Sequence, residues 1–136
     1  MTYLAGLIVL LWTIFFSCSL IVLYKILKCY YYPNIKDPLL EPIIGNIDGW
    51  TLSHFFYFSY LGALFPTYIY ELLLLSIYWE LFEEGFGLIG LVYNDLEWIK
   101  VCLEDDHHPG RWWYGKKEDI LANMLGLFFG LILRYL

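Results

Sequence analysis

Four runs of mostly apolar residues, separated by polar stretches, dominate the pattern of this 136-residue chain. A helix needs about 20 apolar residues to cross the hydrocarbon core of a membrane. The runs predict helices at residues 3–24, 51–65, 66–86 and 118–136. We therefore expect an all-α fold, an integral membrane bundle of four transmembrane helices that forms a single transmembrane domain over residues 1–136.

Basic residues are concentrated in two of the predicted loops. The loop after the first helix and the long loop 87–117 hold seven of the eight lysines and arginines. Basic loops of membrane proteins usually face the cytosol. With four spans, these two loops share one side of the membrane. The start of the second span, the end of the third and the start of the fourth should then lie at similar depth.

Composition supports a membrane protein and argues against one class of partner. Hydrophobic residues make up 60% of the chain, more than an ordinary soluble domain contains. The formal net charge of −6 argues against nucleic acid as a partner.

The third apolar run ends in a cluster of carboxylates. Glu80, Glu83 and Glu84 are spaced i, i+3, i+4 and would share one helix face. Charges near lipid are costly unless water or a cation offsets them. Carboxylate oxygens suit a hard cation, Ca²⁺ or Mg²⁺, better than zinc. The alternative is a solvated helix end, because Gly85 follows at once.

The fourth run carries a polar and small-residue stripe at helical spacing. Asp119, Asn123, Gly126 and Gly130 follow the spacing i, i+4, i+7, i+11. The polar end offers oxygen ligands, and the glycine end would let a neighbouring helix come close. The alternative is an acidic helix N-terminus stabilised by the helix dipole, with glycines that only pack.

His54 is an ionisable residue in the first turn of the second span, directly after Ser53. Ionisable groups at membrane depth are candidates for function. A neutral imidazole could act there as a general base or as a nucleophile. The alternative is a capping or packing residue.

The order of these motifs over residues 50–130 resembles that of the eukaryotic base-exchange phosphatidylserine synthases. The elements that carry the resemblance are His54, Trp79-Glu80-Leu81-Phe82-Glu83, Trp112-Trp113, and Asp119-Ile120-Leu121-Ala122-Asn123 with glycines after it. This chain is much shorter than the proteins of that family and would be a minimal core. Tyr114 stands where the family has an aspartate, so the acceptor is left open between serine and another amino alcohol.

The resemblance implies a phosphatidyltransferase of phospholipid biosynthesis that exchanges a lipid head group for L-serine or a related amino alcohol. It implies Ca²⁺ as the cofactor, with Mg²⁺ or Mn²⁺ as alternatives, and the endoplasmic reticulum or another intracellular membrane as the location. Its candidate residues are His54 for catalysis; Glu80, Glu83, Asp119 and Asn123 for the metal; Glu84, Glu118 and Asp48 as further ligands; and Ser53, Trp112 and Trp113 for substrate.

A looser resemblance is to small VanZ-like membrane proteins, which carry a similar Asp-x-x-x-Asn-x-x-Gly stripe near their last helix. This second interpretation is non-catalytic. The protein would bind lipid or serve as a subunit of a larger membrane assembly. The oligomeric state is left open, with a homo-oligomer among the alternatives.

Overall fold

The protein is mostly helical in the computed structural model, which describes residues 3–32, 37–92 and 115–136. Four α-helices lie within these residues: α1 (Tyr3–Tyr31), α2 (Gly49–Leu64), α3 (Ile69–Val92) and α4 (Lys117–Tyr135). The helical class predicted from the sequence is confirmed. The contacts group into two compact units, Met1–Ile35 and Lys36–Leu136, which are described separately below.

The first unit contains α1, a 29-residue apolar helix. Among the described residues, α1 is the one helix long and apolar enough by itself to cross a membrane. It continues past its predicted end at residue 24 through Lys25 and Lys28, because lysine is a good helix former and Pro33 is the first strong breaker. Hydroxyls inside it, such as that of Ser17, donate to carbonyl oxygens one turn earlier and so avoid an unsatisfied polar group.

The second unit begins with a small hairpin that the all-α expectation missed. Strand β1 (Pro42–Ile44) pairs antiparallel with β2 (Ile47–Asp48). Gly45 makes the turn with a φ of 58°, a conformation that glycine adopts without strain. The hairpin lies within the loop that was expected between the first and second helices.

Helix α2 begins where the hairpin ends. The Asp48 carboxylate accepts a hydrogen bond of 2.9 Å from the backbone N–H of Thr51 and so forms the N-cap of the helix. The helix ends at Leu64, and a short 3-10 helix (Pro66–Tyr68) leads into α3. Gly49–Leu64 and Pro66–Gly85 are long and apolar enough to cross a membrane only when they are taken together as one broken span. The two parts are bent by 109° at the break.

Helix α3 is longer than the sequence predicts. It continues to Val92, so the expected end near Phe86, marked by Gly85 and Gly87, is wrong. A glycine ends a helix when it adopts a left-handed conformation. Among the described residues, only Gly45 has a positive φ, so the glycines of α3 stay helical. The predicted loop 87–117 therefore starts with helix, and residues 93–114 of that loop lie outside the described residues.

The backbones of α2 and α4 approach each other closely at two glycines. A Cβ atom added to Gly126 would overlap the carbonyl oxygen of Phe55, and one added to Gly130 would overlap that of Ser59. Both obstacles are backbone atoms of α2, which cannot rotate away. The predicted close approach of a neighbouring helix at Gly126 and Gly130 is therefore confirmed, and it places the polar end of α4 beside the start of α2.

We expect Gly130→Ala to lower the free energy of unfolding by about 1–3 kcal/mol, because the new methyl group forces α2 and α4 apart. The matched control is Gly85→Ala in α3, where an added Cβ has nothing within 4 Å. That change should be neutral or stabilising by up to about 1 kcal/mol, since alanine is the better helix former. Thermal unfolding in detergent measures both. Equal melting temperatures for the two variants would contradict the backbone contact.

Candidate functional site

Side chains from α2 and α3 form a buried group that could hold a metal ion. His54, Glu80 and Glu83 each offer one ligand atom, and these atoms lie within 4.8 Å of one another. All three side chains are buried. The polar end of α4 contributes Asp119 and Asn123, which are also buried. We call these five residues the polar cluster.

Asn123 connects the imidazole to a carboxylate at the centre of the polar cluster. Its Oδ1 lies 3.0 Å from Nδ1 of His54, and its Nδ2 donates to Oε1 of Glu80 at 3.3 Å. The same Nδ1 is 3.3 Å from Oε1 of Glu80. Three helices thus each contribute one member of a triangle of hydrogen-bonding groups.

The residues just before α4 are hydrogen-bonded to glutamates in the middle of α3. The backbone N–H of Lys116 donates to Oε2 of Glu80 at 3.2 Å, and that of Gly115 donates to Glu84 at 3.3 Å. Charge-assisted bonds of this kind are stronger than neutral ones. They fix where α4 begins and so where Asp119 lies.

A second polar chain runs from Lys116 to Asp119. The Lys116 ammonium forms an ion pair with Oδ2 of Asp48. Oδ1 of Asp48 is 3.1 Å from the Thr51 hydroxyl, which is 2.5 Å from Oδ1 of Asp119. A hydroxyl has one hydrogen and can donate to only one of these two carboxylates. The remaining contact requires a shared proton or a cation.

The other predicted site residues have different surroundings. Ser53 donates to the carbonyl oxygen of Trp50 in its own helix, at 2.7 Å. Glu118 accepts from Asn46 of the hairpin at 3.2 Å, away from the polar cluster. Trp112 and Trp113 lie outside the described residues.

The donor set fits a divalent cation. Glu80, Glu83 and Asp119 bring three carboxyl groups together in a buried place, where their negative charge is costly unless a cation offsets it. Carboxylate and amide oxygens suit Ca²⁺, Mg²⁺ or Mn²⁺, and a ring nitrogen of His54 extends the choice toward transition metals. The ligand roles of these residues stay predictions.

Two residues that the sequence did not indicate belong to this site. Thr51 joins two carboxylates, and Lys116 provides both a backbone donor and an ammonium. Thr51 could have been found from its position three residues after the cap Asp48. No local sequence pattern indicates Lys116, since its partner Asp48 is 68 residues away.

Comparison with known proteins identifies no relative. No family model, curated protein or solved structure matches the chain.

We expect Thr51→Val to destabilise the protein by about 1–3 kcal/mol, because two buried carboxylates lose a shared hydrogen-bonding partner. The matched control is Thr67→Val, since Thr67 is exposed in the link between α2 and α3. Chemical unfolding in detergent measures the difference. The role assigned to Thr51 is wrong if both valine variants unfold at the same denaturant concentration.

Proposed function

We propose that this protein is an integral membrane phosphatidyltransferase that exchanges the head group of a phospholipid for serine or a related amino alcohol, with a divalent cation as cofactor. The observation that carries the proposal is the buried meeting of His54 with Glu80 and Glu83. A base or nucleophile beside a charge-compensated acidic pocket is what transfer at a phosphodiester requires. The order of the motifs, which resembles the base-exchange phosphatidylserine synthases, supports the same reaction.

The proposal includes a membrane position for α2, α3 and α4 as well as for α1. Helix α2 has 16 residues, about 24 Å of helix, and is too short by itself to cross a core of about 30 Å. Glu80 and Glu83 lie near the middle of α3, and Asp119 lies in the first turn of α4. These properties suit a site at the membrane surface, where a lipid phosphate and a soluble amino alcohol can both reach it. An intracellular membrane such as the endoplasmic reticulum is the proposed location.

The chemistry of the exchange needs one group that attacks or activates and one that compensates charge. As a nucleophile, His54 would form a P–N bond while the P–O bond to the old head group breaks and that oxygen takes a proton. The acceptor hydroxyl would then lose its proton, attack phosphorus and release the imidazole. As a general base, His54 would instead take the proton of the acceptor hydroxyl while its oxygen forms a P–O bond and the P–O bond to the old head group breaks. The imidazolium would then return that proton to the departing oxygen, so that the old head group leaves as an alcohol.

The carboxylates and the cation have complementary parts in this scheme. A divalent cation, when bound, would neutralise charge on the phosphodiester oxygens. Glu80 and Glu83 would hold it, with Asp119 as a further ligand. Asp48 and Lys116 would keep α4 in place beside the pocket through their ion pair.

The direct test is conversion of phosphatidylcholine or phosphatidylethanolamine by purified protein in lipid nanodiscs with Ca²⁺, Mg²⁺ or Mn²⁺. Labelled serine, ethanolamine and choline are offered separately, and lipid products are identified by mass spectrometry. We expect a cation-dependent new phospholipid with at least one acceptor. The proposal would be contradicted if the wild type formed no more new phospholipid than His54→Ala with any of the three acceptors and any of the three cations.

One observation favours a non-catalytic alternative, in which the protein binds lipid or is a subunit of a larger assembly. The bonds among His54, Asn123 and Glu80 join three helices and could serve stability alone. In that case Glu80→Gln would prevent folding or assembly, and the wild type would yield no lipid product. A stable Glu80→Gln protein beside an active wild type would exclude this alternative.

A further inference from the structure

The polar cluster determines which nitrogen of His54 carries the hydrogen. Nδ1 faces two oxygen atoms, Oδ1 of Asn123 at 3.0 Å and Oε1 of Glu80 at 3.3 Å. Oxygens that face a ring nitrogen at these distances require a hydrogen between them. A neutral imidazole has one N–H and one lone pair. If Nδ1 has the hydrogen, the lone pair is on Nε2.

The surroundings of Glu80 support its role as an acceptor. Its Oε1 receives the Asn123 amide at 3.3 Å, and its Oε2 receives the backbone N–H of Lys116 at 3.2 Å. A backbone N–H can only donate, so Oε2 accepts. Each oxygen of Glu80 therefore accepts a hydrogen bond from a neighbouring residue.

The Asn123 amide has a defined orientation in the polar cluster. Its Nδ2 donates to Oε1 of Glu80, and its Oδ1 lies 3.0 Å from Nδ1 of His54. The amide therefore directs its NH₂ group at Glu80 and its oxygen at His54. Asn123 is completely buried, so water cannot compensate for the wrong orientation.

We infer that Asn123 is a positioning residue that, together with Glu80, holds His54 as the Nδ1–H tautomer and leaves the Nε2 lone pair for the reacting phosphate or alcohol. Its value for catalysis rests on the proposed function. The inference gives Asn123 a role other than the metal ligand expected from the sequence, because its oxygen already accepts from His54. It also names the atom through which His54 would act.

Nitrogen NMR of the protein labelled with ¹⁵N-histidine tests the tautomer without any substrate or metal. Protonated and unprotonated ring nitrogens have well separated chemical shifts, and the spectrum of His54→Gln assigns His54 among the three histidines. With chelator present, we expect Nδ1 of His54 to be protonated and Nε2 not. A wild-type spectrum that shows the hydrogen on Nε2 of His54 would be sufficient to overturn the inference.

Variants at position 123 test the part played by the amide. Asn123→Leu keeps the volume but removes the acceptor, so both tautomers of His54 should appear; Asn123→Ala replaces it if the leucine variant does not fold. Asn123→Asp retains an acceptor oxygen and should keep the Nδ1–H form. A leucine or alanine variant with the wild-type tautomer would overturn the role of Asn123.

Exchange kinetics separate this inference from the proposed function. We expect Asn123→Leu to lower kcat by about 10- to 100-fold, with a smaller change in KM, as for other residues that orient a reacting imidazole. An unchanged kcat in a variant that shows mixed tautomers would overturn the positioning role. A wild type that has the Nδ1–H form but transfers no head group would support the tautomer assignment and contradict only the proposed function.

Discussion

His54→Ala is expected to lower the rate of head-group exchange by at least about 100-fold, and by up to about 10,000-fold if the imidazole acts only as a general base. The residue is buried beside Glu80 and Glu83. If His54 is the nucleophile, the loss should be larger, because the first bond to phosphorus can no longer form. Initial rates of labelled phospholipid formation, measured in nanodiscs at saturating cation, give the ratio.

Two control variants separate chemistry from folding in this experiment. In His54→Gln, the new side chain has an amide but no imidazole. The amide can bond to Asn123, whose Oδ1 lies 3.0 Å from Nδ1 of His54 in the wild type. Ser59→Ala changes a buried residue of the same helix whose hydroxyl only bonds back to Phe55. We expect the glutamine variant to be folded and inactive and the serine variant to be active. Appreciable exchange by folded His54→Gln would refute a catalytic imidazole.

Glu80→Gln is expected to weaken the binding of a divalent cation by about 100-fold or more, about 2.7 kcal/mol of binding free energy. Glu80 is the residue on which the cluster converges, since its two oxygens meet Asn123 and the backbone of Lys116. Glutamine has nearly the same shape but no negative charge to offset that of the ion. Isothermal titration calorimetry with Ca²⁺, Mg²⁺ and Mn²⁺ measures the dissociation constants and shows which ion the site prefers.

The matched control is Glu71→Gln, which removes the same charge from the same helix nine residues earlier. Glu71 lies near the start of α3, about 13 Å along the helix from Glu80. Its replacement should change the dissociation constant less than twofold. A similar loss of affinity in both variants would show that cation binding depends only on the overall charge of the protein. It would contradict the assignment of the polar cluster as the cation site.

The helices were predictable because apolar runs and breakers are local features. The fourth run was placed within one residue of α4 at each end. The end of α3 was missed because Gly85 and Gly87 are compatible with either a helix or its termination. Their conformation depends on surroundings that the local sequence does not show.

The candidate site was predictable in its members but not in its contacts. The spacing of the carboxylates and the charges of the loops predict that His54, Glu80 and Asp119 lie at similar depth in the membrane. The contacts of Asn123 with both His54 and Glu80 depend on how far α4 is displaced along α2, which no short-range pattern encodes. The same holds for Lys116 and Asp48, which are separated by 68 residues.

The glycine contacts of α4 constrain the number of residues between Gly126, which packs against α2, and Asn123, which bonds to His54. Gly126 and Gly130 fix the rotation of α4 against α2, while Asn123, on the same face, reaches the imidazole. An insertion of one residue between Asn123 and Gly126 would turn the upstream part by about 100° and shift it by 1.5 Å. Either the backbone contact or the polar contact would survive, but not both. An insertion of seven residues, about two full turns, would restore the phase to within about 20°, although the added rise would carry Asn123 away from His54.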